Sequence, residues 1–451
     1  MERSVTRRSI FAQAWPIMLG QSLIPLVGIV DATVIGRTGN TAALAGVALG
    51  ATVINLIFWT FGFLRMGTTG LTSQAEGRGD RHEVQALLVR SIAIAFGIGL
   101  TLAVLQVPLR WAAFSLLEGG PQVSAEASAY VGARFYGAPA ALSVYVITGW
   151  LFGLGRTRAA LMLQLIMNLS NIALDLVLVW GFGLGAAGVG YGTAGAETIA
   201  LLTGLAIAGR LLGPAALAEI RAMDRSRLFS LPVLRPLVAI NANLMVRTIA
   251  LLVLFTWFAN AGARLGAVPL AANHVLMQFV TVAAFVLDAF AFTAEARIGQ
   301  AIGANSRDQM LRAIRLTGEF SLLGGLVIAA LFWFSGDWVI AFITTDPAVR
   351  ATAEYFLPFV VMIPVIGMPS WLLDGIFIGA TRGKTLRNAA LISTVAYLAL
   401  DIGLRAFGNL GVWIALTLSF VFRAVALGWS LPGLMQSVVP HSALAGKDKA
   451  R

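Results

Sequence analysis

The side chains with chemistry to offer are few, and they sit where charge is costly. Asp31 lies in an apolar run from Ile10 to Ile35, and Asn171 and Asp175 lie in another, from about 159 to 182. A carboxylate at membrane depth costs at least about 2.5–3.5 kcal/mol, so an acid there is a functional-site expectation by default. Asn171 and Asp175 are four residues apart and so share one helical face. Two carboxylates close together in a low dielectric cannot both ionise cheaply, and such a pair takes up a proton as a unit. The same oxygens, with Asn171 and Thr193, also suit Na⁺, a hard cation. The bland alternative is that Asp175 and Asn171 only satisfy each other. Pro16 and Pro25 each remove a backbone donor from the first run, so this helix is expected to bend. A bendable helix with one buried acid is suited to coupling ion binding to a change of shape.

The second half carries its own intramembrane charges: Arg247, Asp288, Glu295, Asp374 and Asp401. Asp288 and Glu295 are seven apart and share a helical face. Arg247 falls mid-run and needs a partner, with Asp288 and Asp374 as the candidates. These groups form either a structural ion-pair network or a substrate or gating site. Asp401 is expected to pair with Arg405, one turn on, and Arg65 to snorkel to lipid headgroups.

These residues need a scaffold, and composition defines it. The chain has 451 residues, 58% hydrophobic and only 12% charged, where a soluble domain carries about 25% charge. It reads as an all-α integral membrane protein. The net charge of +11 does not indicate nucleic acid, because the basic residues sit in short loops between apolar runs. There is no cysteine, and His82, His274 and His441 form no ligand motif, so thiolate chemistry is excluded and a metal cofactor is not expected. No clustered nucleophile or His pair suggests an enzyme. The basic N-terminus before an apolar run resembles a signal peptide, but the run is long, lacks a convincing cleavage site and holds Asp31, so it is read as an uncleaved span.

Twelve apolar runs can be drawn, at about 10–35, 42–66, 86–107, 130–152, 159–182, 187–211, 234–260, 269–295, 312–335, 355–378, 387–407 and 410–432. Alternate loops are rich in Arg and Lys, from Arg3, Arg7 and Arg8 to Lys447, Lys449 and Arg451, and include Arg225 and Arg227. The others carry only Arg37, Arg110, Arg264 and Arg350. That asymmetry places both termini in the cytoplasm of a multi-pass inner-membrane protein. Span direction then puts Asp31, Asp175, Thr193, Tyr130 and Tyr136 all in the outer half of the membrane. At one offset of 226 residues, Gln74-Ala75 and Gly77 fall on Gln300-Ala301 and Gly303, Gly153 on Gly379, and Leu174-Asp175 on Leu400-Asp401. Six spans per half make this a parallel repeat about an axis along the membrane normal. The expected division is an N-terminal lobe 1–211, a cytoplasmic linker 212–235, a C-terminal lobe 236–435 and a cytoplasmic tail 436–451.

At these residues the chain resembles the multidrug and toxic compound extrusion (MATE) transporters, within them the DinF-like branch. The likeness rests on Pro16 with VDATVIGRTG (Val30 to Gly39), FLRMGTTGLTSQA (Phe63 to Ala75), FGLGRTR (Phe152 to Arg158) and LSNIALDLVLVWGFGLGAAGVGYGTA (Leu169 to Ala194). In the second half it rests on LDAFAFTAEARIGQAIGA (Leu287 to Ala304) and LDGIFIGATRGK (Leu373 to Lys384). The resemblance implies two six-helix lobes around a central cavity and cation-coupled export of small organic compounds, often cationic or amphipathic. It implies no cofactor beyond a coupling ion, H⁺ or Na⁺, between which the motif does not decide; H⁺ is the favoured expectation, and a monomer is expected. It also implies that Asp31 is central to coupling, with Asn171, Asp175, Thr193 and Tyr130 in an N-lobe cation pocket. Where the family pattern expects an asparagine in span 4, this chain has Thr148. Two other transporters remain as alternatives: a lipid-linked oligosaccharide flippase of related fold, and a major facilitator, hinted at by GRGDRHE after span 2.

Overall fold

The computed structural model describes residues 5–116, 120–224 and 228–438. Arg3, Arg225, Arg227, Lys447, Lys449, Arg451 and most of the expected tail lie outside them. The described chain is almost entirely helical. The first half comprises α1 (Arg7–Gly36), α2 (Thr41–Thr60), α3 (Phe63–Gly77), α4 (Arg81–Val104), α5 (Gln106–Leu116), α6 (Gly120–Tyr136), α7 (Ala138–Gly153), α8 (Thr157–Asp175) and α9 (Gly185–Ala222). The second comprises α10 (Leu231–Arg264), α11 (Ala267–Gly303), α12 (Arg307–Ile343), α13 (Pro347–Ile366), α14 (Met368–Gly379), α15 (Gly383–Gly403) and α16 (Asn409–Gln436). All-helical architecture follows from the solvent: in hydrocarbon every backbone polar group must be satisfied within its own segment. Polar residues in the loops start the helices. The Asn40 side chain accepts from Ala43 N (3.0 Å), and that of Asp80 from Glu83 N (3.0 Å). That of Asp346 accepts from Ala348 N (2.8 Å).

Each apolar run is met by a helix or a broken helix. Ten segments, single helices or continuous helix pairs, are long and apolar enough to cross a membrane, and α6 with α7, bent by 54° at Gly137, makes an eleventh span among the described residues. The twelfth, α15, carries Lys384, Arg387 and Asp401, which dilute its apolarity. Two spans are helix pairs: α2 with α3, and α13 with α14. Several helices overrun their apolar runs, because polar turns at their ends continue the helix beyond the bilayer. α11 and α12 have 37 residues each, more than the roughly 20 needed to span. α9 carries its helix to Ala222, breaking only at Gly213, whose φ of 83° precedes Pro214. α5 was not anticipated by any run. α1 is unbroken through Pro16 and Pro25, although each ring leaves a carbonyl, of Ala12 and of Gln21, without its helical donor.

Contacts divide the chain into two units. One gathers residues up to Met18, Ser73–Gly79 and everything from Ala239; the other gathers Leu19–Thr72 and Asp80–Val238. α1 thus changes unit two residues after Pro16. Each unit has its own apolar core. In the second-named unit Ile35, Ile54, Phe58, Val131 and Phe135 pack together. In the other, Leu276, Phe279, Phe332, Ile363 and Trp413 do so.

The 226-residue repeat is visible in the packing. Inside the first-named unit the ends of α3 and α11 touch through matched positions. Gly77 lies against the Gln300 carbonyl and Gly303 against the Gln74 carbonyl, so close that a side chain on either glycine would overlap backbone. Gln74 Nε2 donates onward to Gly379 O (3.0 Å) and Thr381 Oγ1 (3.1 Å).

Candidate ion-coupling site

The polar pocket forms within one unit, from α1, α6, α8 and α9. α8 delivers Asn171 and Asp175 on one face, as their spacing requires, and both are buried. Directly after Asp175 the helix widens into a π-turn, Leu176–Gly181, a device frequent at functional sites. Asn171 Nδ2 donates to Asp175 Oδ2 (3.3 Å) and to Thr193 Oγ1 (3.1 Å), and the Thr193 hydroxyl in turn donates to Val189 O (3.0 Å). Asp31, 6% exposed, lies close enough to Asp175 and Asn171 to interact electrostatically with both. Gly192 is pressed onto Asp175 Oδ1, so a side chain there would displace the carboxylate. Two bonds, one from α8 and one from the π-turn after it, hold α1 on either side of Asp31: Asn168 Nδ2 donates to Leu23 O (3.1 Å) and Trp180 Nε1 to Val34 O (3.0 Å).

Three oxygens in this pocket, Asp31 Oδ1, Asp175 Oδ1 and Asn171 Oδ1, are buried without a hydrogen-bond donor among the described residues. Buried acceptors without donors are expensive, and a cation satisfies them. Two carboxyls, an amide and a hydroxyl are hard oxygen donors, fit for a proton or a small monovalent ion. No group of three or more His, Cys, Asp and Glu side chains gathers among the described residues.

The structure therefore brings Asp31, Asn171, Asp175 and Thr193 together. Tyr130, buried on α6, is close enough to interact electrostatically with Asp31. Tyr136 is not part of the pocket; it is 61% exposed and stacks on Tyr191. The sequence reading passed over Arg134 and Glu197. Both are buried and bonded bidentately, Arg134 Nη1 to Glu197 Oε2 (2.8 Å) and Nη2 to Oε1 (2.9 Å), with the guanidinium over the Phe58 ring. This pair also acts electrostatically on Asp31. A charge inside each of two apolar runs, of opposite sign, was the signal available.

In the other unit Arg247 pairs with Asp374, one of its two expected partners. Arg423, also overlooked, donates to Ser370 Oγ (3.0 Å) and lies 3.8 Å from Asp374 Oδ2. Asp288 interacts electrostatically with Arg423, and Glu295 is fully buried on α11. Asp401 does not pair with Arg405, which is exposed in the turn after α15. It accepts instead from Arg264 Nη2 (2.7 Å) and Trp257 Nε1 (2.8 Å). Arg65 is half-buried, with its guanidinium over the Phe152 ring.

Trp257 and Asp401 are the repeat mates of Asp31 and Asp175, at the same offset of 226. The two halves thus build the same inter-helix contact with different chemistry. One joins acid to acid; the other joins indole to acid and closes it with Arg264.

A many-span helical bundle with a repeated half and a buried acid pair defines a membrane transporter. The comparisons agree: the MatE family profile matches residues 16–177 and 244–402, and the chain belongs to the MATE family. It is 33% identical over 422 residues to DNA damage-inducible protein F of Escherichia coli K12, covering 93% of this chain and 91% of that one. It is 27% identical over 478 residues to a probable multidrug resistance protein NorM of Rhizobium meliloti, covering 96% and 98%. The fold matches the bent form of the MATE transporter VcmN of Vibrio cholerae with a TM-score of 0.83, at 19% identity over 96% of this chain and 97% of that one. Members of this family are transporters, not enzymes.

Proposed function

We propose that the chain is a cation-coupled antiporter that exports small organic compounds, often cationic or amphipathic, by alternating access across the inner membrane. H⁺ is the favoured coupling ion. The observation that carries this reading is the convergence of Asp31, Asp175 and Asn171, with three buried oxygens lacking donors. The probable multidrug resistance proteins among the relatives support the substrate class. The loop charges support cytoplasmic termini.

In the outward-facing state the two carboxyls take up the cation, and neutralising them lowers the cost of drying the pocket. α1 then leaves α8 by breaking the bonds from Asn168 and Trp180, bending where Pro16 and Pro25 have already removed helical bonds. Drug release follows from that repacking. Coupling requires only that cation and drug favour different conformations. Tyr130 and Thr193 orient the acids. Arg247, Asp288, Asp374 and Glu295 serve as a gating cluster, since Asp374 is already engaged by Arg247 and flanked by Arg423.

The test is efflux of ethidium from proteoliposomes under a pH gradient alone, then a Na⁺ gradient alone. Efflux driven by the pH gradient is expected. A response to Na⁺ only makes the same oxygens a sodium site. Failure of both gradients in folded protein refutes the reading and points to a lipid-linked or anionic substrate.

A further inference from the structure

Away from the acid pocket, the start of α1 and the first turns of α12 enclose a groove of about 760 Å³ within one unit. Arg7 and Arg8 line it from α1, and Arg312, Arg315 and Glu319 from α12. A single acid serves two of these four cations. Glu319 accepts from Arg7 Nη2 (2.9 Å) and from Arg315 Nε (3.0 Å). Arg8 and Arg312 are exposed and have no hydrogen bond or ion pair among the described residues. The groove therefore carries an excess of three positive charges. The first turn of α1 is itself fixed: Thr6 N donates to Ser9 Oγ (3.0 Å) and Ser9 N to Thr6 Oγ1 (3.2 Å). Its arginines thus project from a set backbone, at the positive end of a helix dipole.

Depth identifies the ligand. The 37 residues of α12 extend about 55 Å, against a hydrocarbon core of about 30 Å. Roughly 12 Å at each end therefore stands among the headgroups. Arg312 and Arg315 lie about 8 and 12 Å along the helix from its start, at headgroup level. From there an apolar track runs toward the hydrocarbon: Phe11, half exposed, has its ring 6.2 Å from Phe320, which stacks on Phe290 at 5.9 Å. Arginines that only set topology need to be on one side of the membrane; they need not converge from two helices on one concavity above an aromatic track.

We infer that this groove binds the phosphate of an anionic phospholipid, with Arg8 and Arg312 on the phosphate and an acyl chain along Phe11 and Phe320. The bound lipid pins the first turn of α1, the helix that carries Asp31, to α12.

The test uses native mass spectrometry of the full chain, titrated with phosphatidylglycerol or phosphatidylcholine of the same acyl length. Wild type is expected to prefer phosphatidylglycerol. A surface arginine contributes about five-fold in affinity for an anionic lipid, so Arg8→Gln/Arg312→Gln lowers binding by roughly thirty-fold. Arg382→Gln/Arg387→Gln, outside the groove, leaves it unchanged. Glu319→Gln moves the other way, tightening binding by releasing Arg7 and Arg315, and so provides a test even where the double variant does not fold. Full preference retained by the Arg8/Arg312 variant overturns the inference, as does wild type that does not distinguish the two lipids. Inorganic phosphate that displaces phosphatidylglycerol at equal concentration assigns the site to free phosphate and overturns the lipid.

Discussion

The Arg134–Glu197 pair allows a quantitative trial of how this membrane interior tolerates charge. Two bonds of 2.8 and 2.9 Å join the side chains, which are 7% and 10% exposed. The partners differ in one respect: a carboxyl can discard its charge by taking a proton, whereas a guanidinium stays charged. Glu197→Leu strands Arg134 as a buried cation and should destabilise by about 3–5 kcal/mol. Arg134→Met leaves a carboxyl that becomes neutral, and its cost should be nearer about 1–3 kcal/mol, that of an unsatisfied polar group. Arg134→Met/Glu197→Leu removes both charges. It forfeits the stacking on Phe58, about 0.5–2 kcal/mol, and otherwise restores an apolar contact. The double variant should therefore be more stable than Glu197→Leu alone, with an interaction energy of at least about 2 kcal/mol. Reversible unfolding in mixed detergent micelles at neutral pH measures all four proteins. Additive losses, agreeing within about 0.5 kcal/mol, refute the claim that the two charges exist for each other. Equal costs for the two single variants refute the argument from proton uptake.

The remaining predictions concern coupling and packing. Asp31→Asn should abolish export while the protein still inserts normally; full export by that variant in proteoliposomes sinks the scheme. Asp175→Asn should impair export less completely, read in the same assay. Gly192→Val, which drives a side chain into Asp175 Oδ1, should lose export or fold poorly, and unaltered transport contradicts the packing. Trp180→Phe removes the bond to Val34 O and should raise amide exchange in the C-terminal half of α1, since a lost hydrogen bond there is worth about 1 kcal/mol.

The sequence exposes the fold readily because a bilayer leaves few options. Run length, loop charge and the repeat yield twelve spans. Span ends are less legible, since polar turns such as Arg307–Arg315 extend a helix without adding apolarity. The broken spans, at Phe61–Gly62, Gly137 and Gly367, were missed because an unbroken apolar run hides the break; Pro139 and Pro369, in the first turns after Gly137 and Gly367, were the available signal, since proline favours the start of a helix. The acid pocket was legible from Asp31, Asn171 and Asp175, whose polarity stands out against their runs. Arg134 and Glu197 stand out equally, but each makes sense only beside a partner 63 residues away. Asp401 illustrates the opposite error. Its neighbour in sequence, Arg405, was one turn off, but the 3₁₀ turn at Arg405–Phe407 takes that side chain out of reach, and Arg264 closes from another helix.

The crossing of α3 and α11 has a genealogical consequence. Gly77 on Gln300 and Gly303 on Gln74 is one contact viewed from either side, the form a twofold dimer of identical chains adopts. The two tetrapeptides, Gln74-Ala75-Glu76-Gly77 and Gln300-Ala301-Ile302-Gly303, differ at a single residue. An ancestor of half this length could have made the contact with a second copy of itself before duplication joined the two. The rest of each half is free to differ, as Asp31 and Trp257 do, while these four residues are bound to each other's geometry. A larger residue at either glycine meets backbone, which no change at its mate can move aside, so neither position accepts a side chain.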